Sequence, residues 1–401
     1  MFNACFKIAR FLRTDKVFSF YSIFLIFLSF CLASVCRCMT YKIYYSPNLP
    51  LVLILHIYNP SHEEALSANT PYYYPTLAAR SQRLRFGALP ALWALPGDAV
   101  WVEEDGVLPD APLYSGVRFV TRRELRPSFW EEVERIEPWG WDLLVRHSLR
   151  KAGAPERLLP TDEQLATVRR LSSRETVAPV LRAMRGLSIP TVGESVVCRS
   201  EEEVRERMNI WGDVMVKSLW SCSGRGVVRL SASSPESLWR RVGKWLALQG
   251  GAEVEPAYDK LADFALEFDV DEARRVTYRG LSFFDASPAG AYSGNHVASP
   301  ETLLRLLSEK AGKEVGKEVA AAAKTAEEIL AETLAPHHAG PVGIDMMYVL
   351  SGGAPVLHPC VEINLRRTMG RVAVDLWQRL EGKTKTEMNV LIDNYLPFKQ
   401  R

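Results

Sequence analysis

Three oxygen-bearing side chains near the carboxyl end, Asp345, Glu362 and Asn364, form the pattern with the clearest chemistry in this chain. They lie in GIDMMYVLSGGAPVLHPCVEINLRRTMG, Gly343 to Gly370, where two apolar runs, 342–350 and 355–363, flank a Ser351-Gly352-Gly353 turn. Apolar runs around such a turn read as a β-hairpin, with Asp345 on one strand and Glu362 and Asn364 on the other. Residues two apart on a strand share a face, so Glu362 and Asn364 point the same way. Two carboxylates and an amide converging there suit a hard cation, Mg²⁺ or Mn²⁺, which takes few protein oxygens and completes its shell with water and phosphate. The plainer reading, two solvated acids and a loop amide, is weakened by Arg366 and Arg367 just beyond them. Basic residues beside a metal site suit an anionic substrate or a transferring phosphoryl group.

A second constellation lies in Val214 to Leu230, VMVKSLWSCSGRGVVRL. One strand ends at Lys217, a loop carrying Ser223, Gly224 and Gly226 follows, and another strand begins at Val227. Small residues let backbone N–H groups turn toward an anion, and a lysine at a strand end supplies a fixed charge for phosphate oxygens. This is not a Walker loop, because the GKS/T ending is absent and a strand follows. A hairpin loop with incidental glycines is the alternative.

Together these stretches resemble the ATP-grasp ligases, in which an Asp on one strand and a Glu-x-Asn on the next hold Mg²⁺ against ATP. The resemblance covers roughly residues 160–380. It implies an α/β (α+β) protein with an ATP-grasp fold, preceded by a small α/β domain of the pre-ATP-grasp kind. Helix, then Gly-x-x-Ile-Pro, then strand and helix over 172–211 resembles the opening of the central subdomain. There Arg174 holds the position of a basic residue that reaches the nucleotide phosphates. Glu253 and Glu255 fall where the family's hinge strand holds adenine and ribose, with Glu255 the preferred contact. Glu267 completes the implied nucleotide set with Lys217, Ser223, Gly224 and Gly226, while Arg279 and Arg366 join Lys217 as catalytic cations. The chain departs from the family in having Leu219-Trp220 where Pro and small residues are common. The implied reaction uses ATP and Mg²⁺ to activate a carboxylate as an acylphosphate, which an amine or a thiol then attacks. Such chemistry needs positioning and charge neutralisation, not a side-chain nucleophile. The lack of a G-x-S-x-G elbow or an H-E-x-x-H motif agrees with that. A nucleotide-binding protein without turnover, a small-molecule kinase and an extracytoplasmic binding protein are the competing readings.

The elements that must position these residues begin with Leu51 to Tyr58, LVLILHIY, a short continuous apolar run of the buried parallel-strand kind. It ends at Asn59-Pro60-Ser61-His62-Glu63-Glu64, and ligands bind at the carboxyl ends of such strands. His62, Glu63 and Glu64 are therefore candidate substrate contacts, unless they simply cap a helix. A basic helix over 75–93, a strand over 99–102 and aromatic core packing over 130–141 complete an expected α/β domain at 50–155. The ATP-grasp domain is expected at 160–380, with a nucleotide subdomain to about 255 and a metal and catalytic subdomain after it. Capping boxes at Thr161/Gln164 and Ser172/Glu175 start two helices, and Pro179 implies a kink or a later start in the second. Ser200 with Glu203 caps another helix, and Ser234 a fourth. Alternation over 263–270 predicts a half-buried strand, pairing with 274–284. Tyr292 to His296 is expected as a polar turn closing over substrate, with Asn295 as a contact. A long helix over 300–334, broken near Gly312 or Gly316, leads to the metal hairpin. Two capping helices are expected over 370–401, the last at 381–401.

At 401 residues the chain has room for two or three domains, and 47% hydrophobic with 24% charged residues is an ordinary globular composition. A net charge of +2 gives no nucleic-acid signal. Cys5, Cys31, Cys36 and Cys38 precede residue 40, while Cys198, Cys222 and Cys360 show no metal-type spacing, which fits a reduced compartment. The first forty residues stand apart as a hydrophobic extension. Lys7, Arg10, Arg13 and Lys16 precede an apolar run over 17–36, long enough to span a bilayer. A membrane anchor, a signal peptide and an extension ahead of a start at Met39 all remain open. The ATP chemistry places the catalytic part in the cytoplasm, with a membrane tether only through 17–36.

Overall fold

The structure is a computed structural model, and it describes residues 53–108, 116–221, 226–286, 292–380 and 398–400. Apolar alternation and β-branched runs produce three sheets in a mixed α/β chain.

The first sheet has the order β3-β2-β1-β4, from β1 (Leu53–Ile57), β2 (Ala99–Trp101), β3 (Arg118–Val120) and β4 (Val133–Pro138), all parallel. β4 is a strand that the aromatic content of 130–141 concealed. It pairs along β1 from Leu53↔Val133 to Ile57↔Pro138, while Trp130 and Trp139 pack as expected. Between β1 and β2 run α1 (His62–Ala68) and α2 (Leu77–Phe86). α2 stops at Gly87, well short of residue 93, and Leu89–Leu92 turns as a 3-10 helix around Pro90. α3 (Pro127–Glu132) precedes β4, and α4 (Leu143–Lys151), capped by Asp142, follows it.

Helix α5 (Asp162–Leu171) starts at the Thr161/Gln164 capping box. The next turn is capped by Ser173, one residue later than Ser172, and α6 (Val177–Met184) accommodates Pro179 in its first turn. The second sheet, order β5-β8-β6-β7, is antiparallel and contains β5 (Val196–Cys198), β6 (Val214–Ser218), β7 (Val227–Leu230) and β8 (Ala252–Pro256). Val214, Val216 and Val254 pack with residues of α7 (Glu201–Trp211) and α8 (Glu236–Gln249). Ser200 caps α7, whereas Ser234 binds the Ser231 backbone N–H and leaves Pro235 at the α8 cap position.

The third sheet has the order β13-β12-β9-β10-β11-β14. β9 (Asp259–Val270) and β10 (Val276–Ala286) form the expected hairpin, with a register shift between Tyr278 and Gly280. The segment expected as a polar turn is instead β11 (Tyr292–Val297), which pairs antiparallel with β10 and buries Gly294 to Val297. α9 (Pro300–Ala311) and α10 (Gly316–Thr333) are parted at Gly312, whose left-handed φ of 70° ends the first helix. β12 (Gly340–Ser351) and β13 (Ala354–Asn364) form the hairpin that carries Asp345, Glu362 and Asn364, and α11 (Met369–Leu380) follows. Residues 381–397, expected as helix, lie outside the described residues, and β14 (Phe398–Gln400) pairs in parallel with β11 in place of a helical end. Among the described residues no helix is long and apolar enough to cross a membrane; the 17–36 run is not among them.

Candidate functional site

Strand alternation in the second sheet sends one set of side chains to the helices and the other, charged set away from them. Lys217 pairs across from Glu253, and Glu255 lies two residues further along β8 on the same face. The Lys217 Nζ lies 2.8 Å from Glu255 and 3.7 Å from Glu253, and donates to the Val361 carbonyl of β13 at 3.3 Å. All three side chains are buried. Burial works against the lysine charge, but Glu253 and Glu255 outweigh it and hold the ammonium above its ordinary value. Burial pushes Glu255 up to about 7, with Lys217 opposing and Glu253 reinforcing that shift. Glu253, the cross-strand partner of Lys217, was a secondary candidate by sequence. It is fully buried and also accepts from the Ser195 hydroxyl at 2.7 Å.

Arg174 sits in the short turn before α6 and is buried. Its guanidinium donates to the Ser218 carbonyl at 2.6 Å, to the Ser221 hydroxyl at 2.7 Å and to Glu362 at 2.7 Å. One side chain thus ties the rim of the Ser/Gly loop to the β12–β13 hairpin. Ser223 and Gly224 lie outside the described residues. Gly226 closes the loop where a β-carbon would fall 2.2 Å from the Ser218 and Ser221 hydroxyl oxygens, so only glycine fits unless those groups move. A cavity of about 340 Å³ opens here, between Glu64, Ser67 and Tyr73 on one side and Ser218, Ser221 and Gly226 on the other.

On the third sheet, Asp345 pairs with Glu362 and Gly343 with Asn364, so the hairpin presents the three predicted oxygen donors from neighbouring positions. Burial, followed by the charges of Glu362 and Glu267, pushes the Asp345 carboxyl well above its ordinary value. Crowded carboxylates of this kind fit a cation between them. Among the described residues no group of three or more His, Cys, Asp or Glu is arranged to hold a metal.

Gly343 also faces Glu267 on β9, where a β-carbon would stand 3.1 Å from the carboxylate. Glu267 is buried and accepts from the Thr368 hydroxyl at 2.6 Å, while its Oε2 has no hydrogen-bond partner among the described residues. Burial pushes it up to about 7 against the opposing Thr368 hydrogen bond and Arg371 charge. Asn295 is buried on β11, donating to the Ser282 hydroxyl at 2.6 Å and accepting from Tyr292. Arg279 lies at the β10 register shift with its Nε 3.4 Å from Asp269, a residue that Arg371 also grips at 2.6 and 2.8 Å.

Arg366 reaches back to Glu63 on α1, a partner 303 residues away in the chain. Burial opposes the Glu63 charge, but Arg366 and then His62 overcome it and lower its pKa. His62 itself turns inward, with 1% exposure, Nδ1 at 3.1 Å from Asp142 and its ring against Gly140. It braces the β1 and β4 ends and does not face the site. The structure therefore gathers Arg174, Lys217, Glu253, Glu255 and Glu362 into one connected cluster. Thr368 and Ser282 are further polar neighbours that no sequence spacing announces. Had the cross-strand register been known, Lys217↔Glu253 would have been the signal for Glu253.

No family model matches the chain, and no curated protein matches it. Among solved structures, N5-carboxyaminoimidazole synthetase from Staphylococcus aureus complexed with ADP is similar over 81% of this chain and 74% of its own, at 13% identity and a TM-score of 0.44. A biotin carboxylase–β,γ-ATP complex from Campylobacter jejuni is similar over 86% and 71%, at 13% identity and a TM-score of 0.47. D-alanyl-alanine synthetase A from Vibrio cholerae is similar over 86% and 96%, at 12% identity and a TM-score of 0.44. These are partial likenesses of backbone path, and the reading of the site rests on its own residues.

Proposed function

We propose that this chain is an ATP-grasp enzyme, an ATP- and Mg²⁺-dependent ligase joining a small carboxylic acid to an amine or another nucleophile. The observation that carries this reading is the buried Arg174 bridge, from Ser218 and Ser221 at the Ser/Gly loop to Glu362 on the hairpin. A guanidinium between a glycine loop and paired carboxylates suits a nucleotide triphosphate with its counter-cation. Asp345, Glu362 and Asn364 would hold Mg²⁺, which would supply charge neutralisation for the phosphate oxygens. Lys217, released from Glu255 when nucleotide arrives, would turn its ammonium to the phosphates, leaving Glu255 free for the base or ribose. In the reaction, a carboxylate oxygen of the substrate attacks the γ-phosphorus, the bond to the β-phosphate oxygen breaks, and ADP leaves. The amine then attacks the acyl carbon, inorganic phosphate departs, and the nitrogen loses a proton. Arg366 and Arg279 would balance the charge of the phosphoryl group in flight. Glu63 holds Arg366 in place for this.

The test incubates the full chain with ATP, Mg²⁺ and mixtures of amino acids, small acids and amines, and follows ADP release. Hydroxylamine is then added to trap an acylphosphate as its hydroxamate. Acid-dependent ADP release with hydroxamate formation supports a ligase. A stable phosphorylated product without a nucleophile would make the protein a kinase, and absence of ATP binding would remove the nucleotide reading altogether.

A further inference from the structure

The first sheet carries a second cavity, of about 450 Å³, that the nucleotide reading does not use. The strand order β3-β2-β1-β4 runs outward from β1 through β2 to β3 and then reverses to β4 on the other side of β1, so the crevice beyond the carboxyl ends of β1 and β4 is a topological switch point. The cavity opens there, lined by Ser61 after β1, Leu144 after β4, and Trp101 and Arg80 across from them.

Strand alternation puts this cavity on the face of the sheet away from α11. Ile57 and Trp101 line it and belong to the core shared with Val145 and Leu149 of α4. Tyr58, Val100 and Val102, on the opposite face, pack with Val372 and Leu376 of α11. α11 is the helix that follows the β12–β13 hairpin, and no residue lining this cavity also lines the one beside the Ser/Gly loop.

The walls define a ligand chemistry. Ile57, Ala79, Leu84, Trp101 and Val145 supply an apolar body. Arg83 is committed: it ion-pairs with Glu103 at 3.0 Å, donates to the Tyr58 carbonyl and lies over Trp101. Arg80 makes no ion pair among the described residues and rests 4.7 Å above the Tyr74 ring. Ser61 is 6% exposed; its carbonyl accepts from the Ala65 backbone N–H, while its hydroxyl neither caps α1 nor makes a hydrogen bond among the described residues. The hydroxyl opens into the cavity, where it is available to a ligand. We propose that this crevice is a binding site for a small carboxylic acid with an apolar or aromatic body, its carboxylate held by Arg80 and Ser61, and that the site is separate from the nucleotide cleft.

Isothermal titration calorimetry with phenylacetate and 4-phenylbutyrate, and with phenylacetamide as the uncharged counterpart, tests this on the full chain. Both acids are expected to bind one per chain, at least about tenfold more tightly than the amide, the usual scale of a charge-assisted contact. Arg80→Gln should erase that preference and Arg80→Lys should retain most of it. Ser61→Ala, which removes no existing hydrogen bond, should weaken the acids several-fold. Melting curves of the variants matching the parent chain would show that the fold is kept. Saturating a non-hydrolysable ATP analogue with Mg²⁺ should leave the acids' affinity unchanged. Competition with that analogue would put the acids in the nucleotide cleft and overturn the proposal. Equal affinity for acid and amide, insensitivity to Arg80→Gln, or no saturable binding of either acid would overturn it as well.

Discussion

Replacing Lys217 with Met deletes a charge while keeping the apolar stem, and its consequence differs from that of a surface lysine. At 2.8 Å from Glu255, the ammonium contributes a gross attraction of about 6 kcal/mol at an effective dielectric constant near 20. Desolvation of the pair offsets several kcal/mol of that. Glu255 titrates at about 7 in the folded chain, up from 4.5, so it carries a proton at lower pH and needs no partner there. The sign follows from the raised carboxyl pKa: the folded state holds the proton more tightly, so stability is fully present below about 4.5 and falls as pH rises toward 7. With Lys217 in place this loss ends near pH 7. Without it the Glu255 pKa climbs further, and the loss continues at about 1.4 kcal/mol per pH unit. By about pH 8.5 the variant should be roughly 2 kcal/mol worse off, relative to the parent chain, than at pH 7. Urea denaturation of both chains over pH 5.5–8.5 reads this directly. ATP affinity, measured at pH 6 where the fold penalty is small, should fall about ten- to a hundredfold, with adenosine little affected. Parallel stability curves for the two chains would refute the coupling of Lys217 to Glu255. An unchanged ATP affinity would take Lys217 out of the phosphate site.

Glu267→Gln keeps the acceptor for Thr368 and removes a carboxyl that burial raises from 4.5 to about 7. Stability of the parent chain falls across that window as the acid ionises, so the variant should gain up to about 3 kcal/mol relative to it between pH 5 and 8, read by thermal melts. Equal pH profiles would show that Glu267 is not the group responsible. Gly370→Ala places a β-carbon 2.3 Å from the Ser282 hydroxyl and 2.4 Å from Glu267; overpacking should cost about 1–3 kcal/mol in urea titrations, and a neutral result would mean both side chains rotate away freely. Glu362→Gln lowers the charge at the hairpin and at Arg174 together, and Mg²⁺-dependent ADP release should drop by about two to three orders of magnitude. Undiminished turnover would remove Glu362 from the site. A double-mutant cycle on Glu63 and Arg366 should return a coupling of about 1.5–3 kcal/mol in stability, since both side chains are largely buried, and additive losses would mean that their contact is incidental.

Much of this protein was legible without coordinates because the deciding information was local. Turn glycines and a period of two marked the β12–β13 hairpin, and that spacing alone put Glu362 and Asn364 on one face. Gly312 stopped α9 because a glycine, lacking a side chain, adopts the left-handed conformation that ends a helix at little cost. What escaped was non-local. β4 reads as a mixed-charge stretch between tryptophans, and only its parallel pairing with β1 makes it a strand. Tyr292–Val297 looks polar enough for a turn, yet pairing with β10 buries its second half, because Ser282 and Asp285 give Asn295 and His296 hydrogen-bonded contacts. The partners of Arg174 and Arg366 lie up to 188 and 303 residues away, where no periodicity reaches. Sequence thus determined which residue types were available and which faces they shared within a strand. Tertiary structure decided which charges meet, and burial then set whether Glu255, Glu267 and Asp345 hold a proton, because removing a carboxylate from water costs more than its local neighbours return.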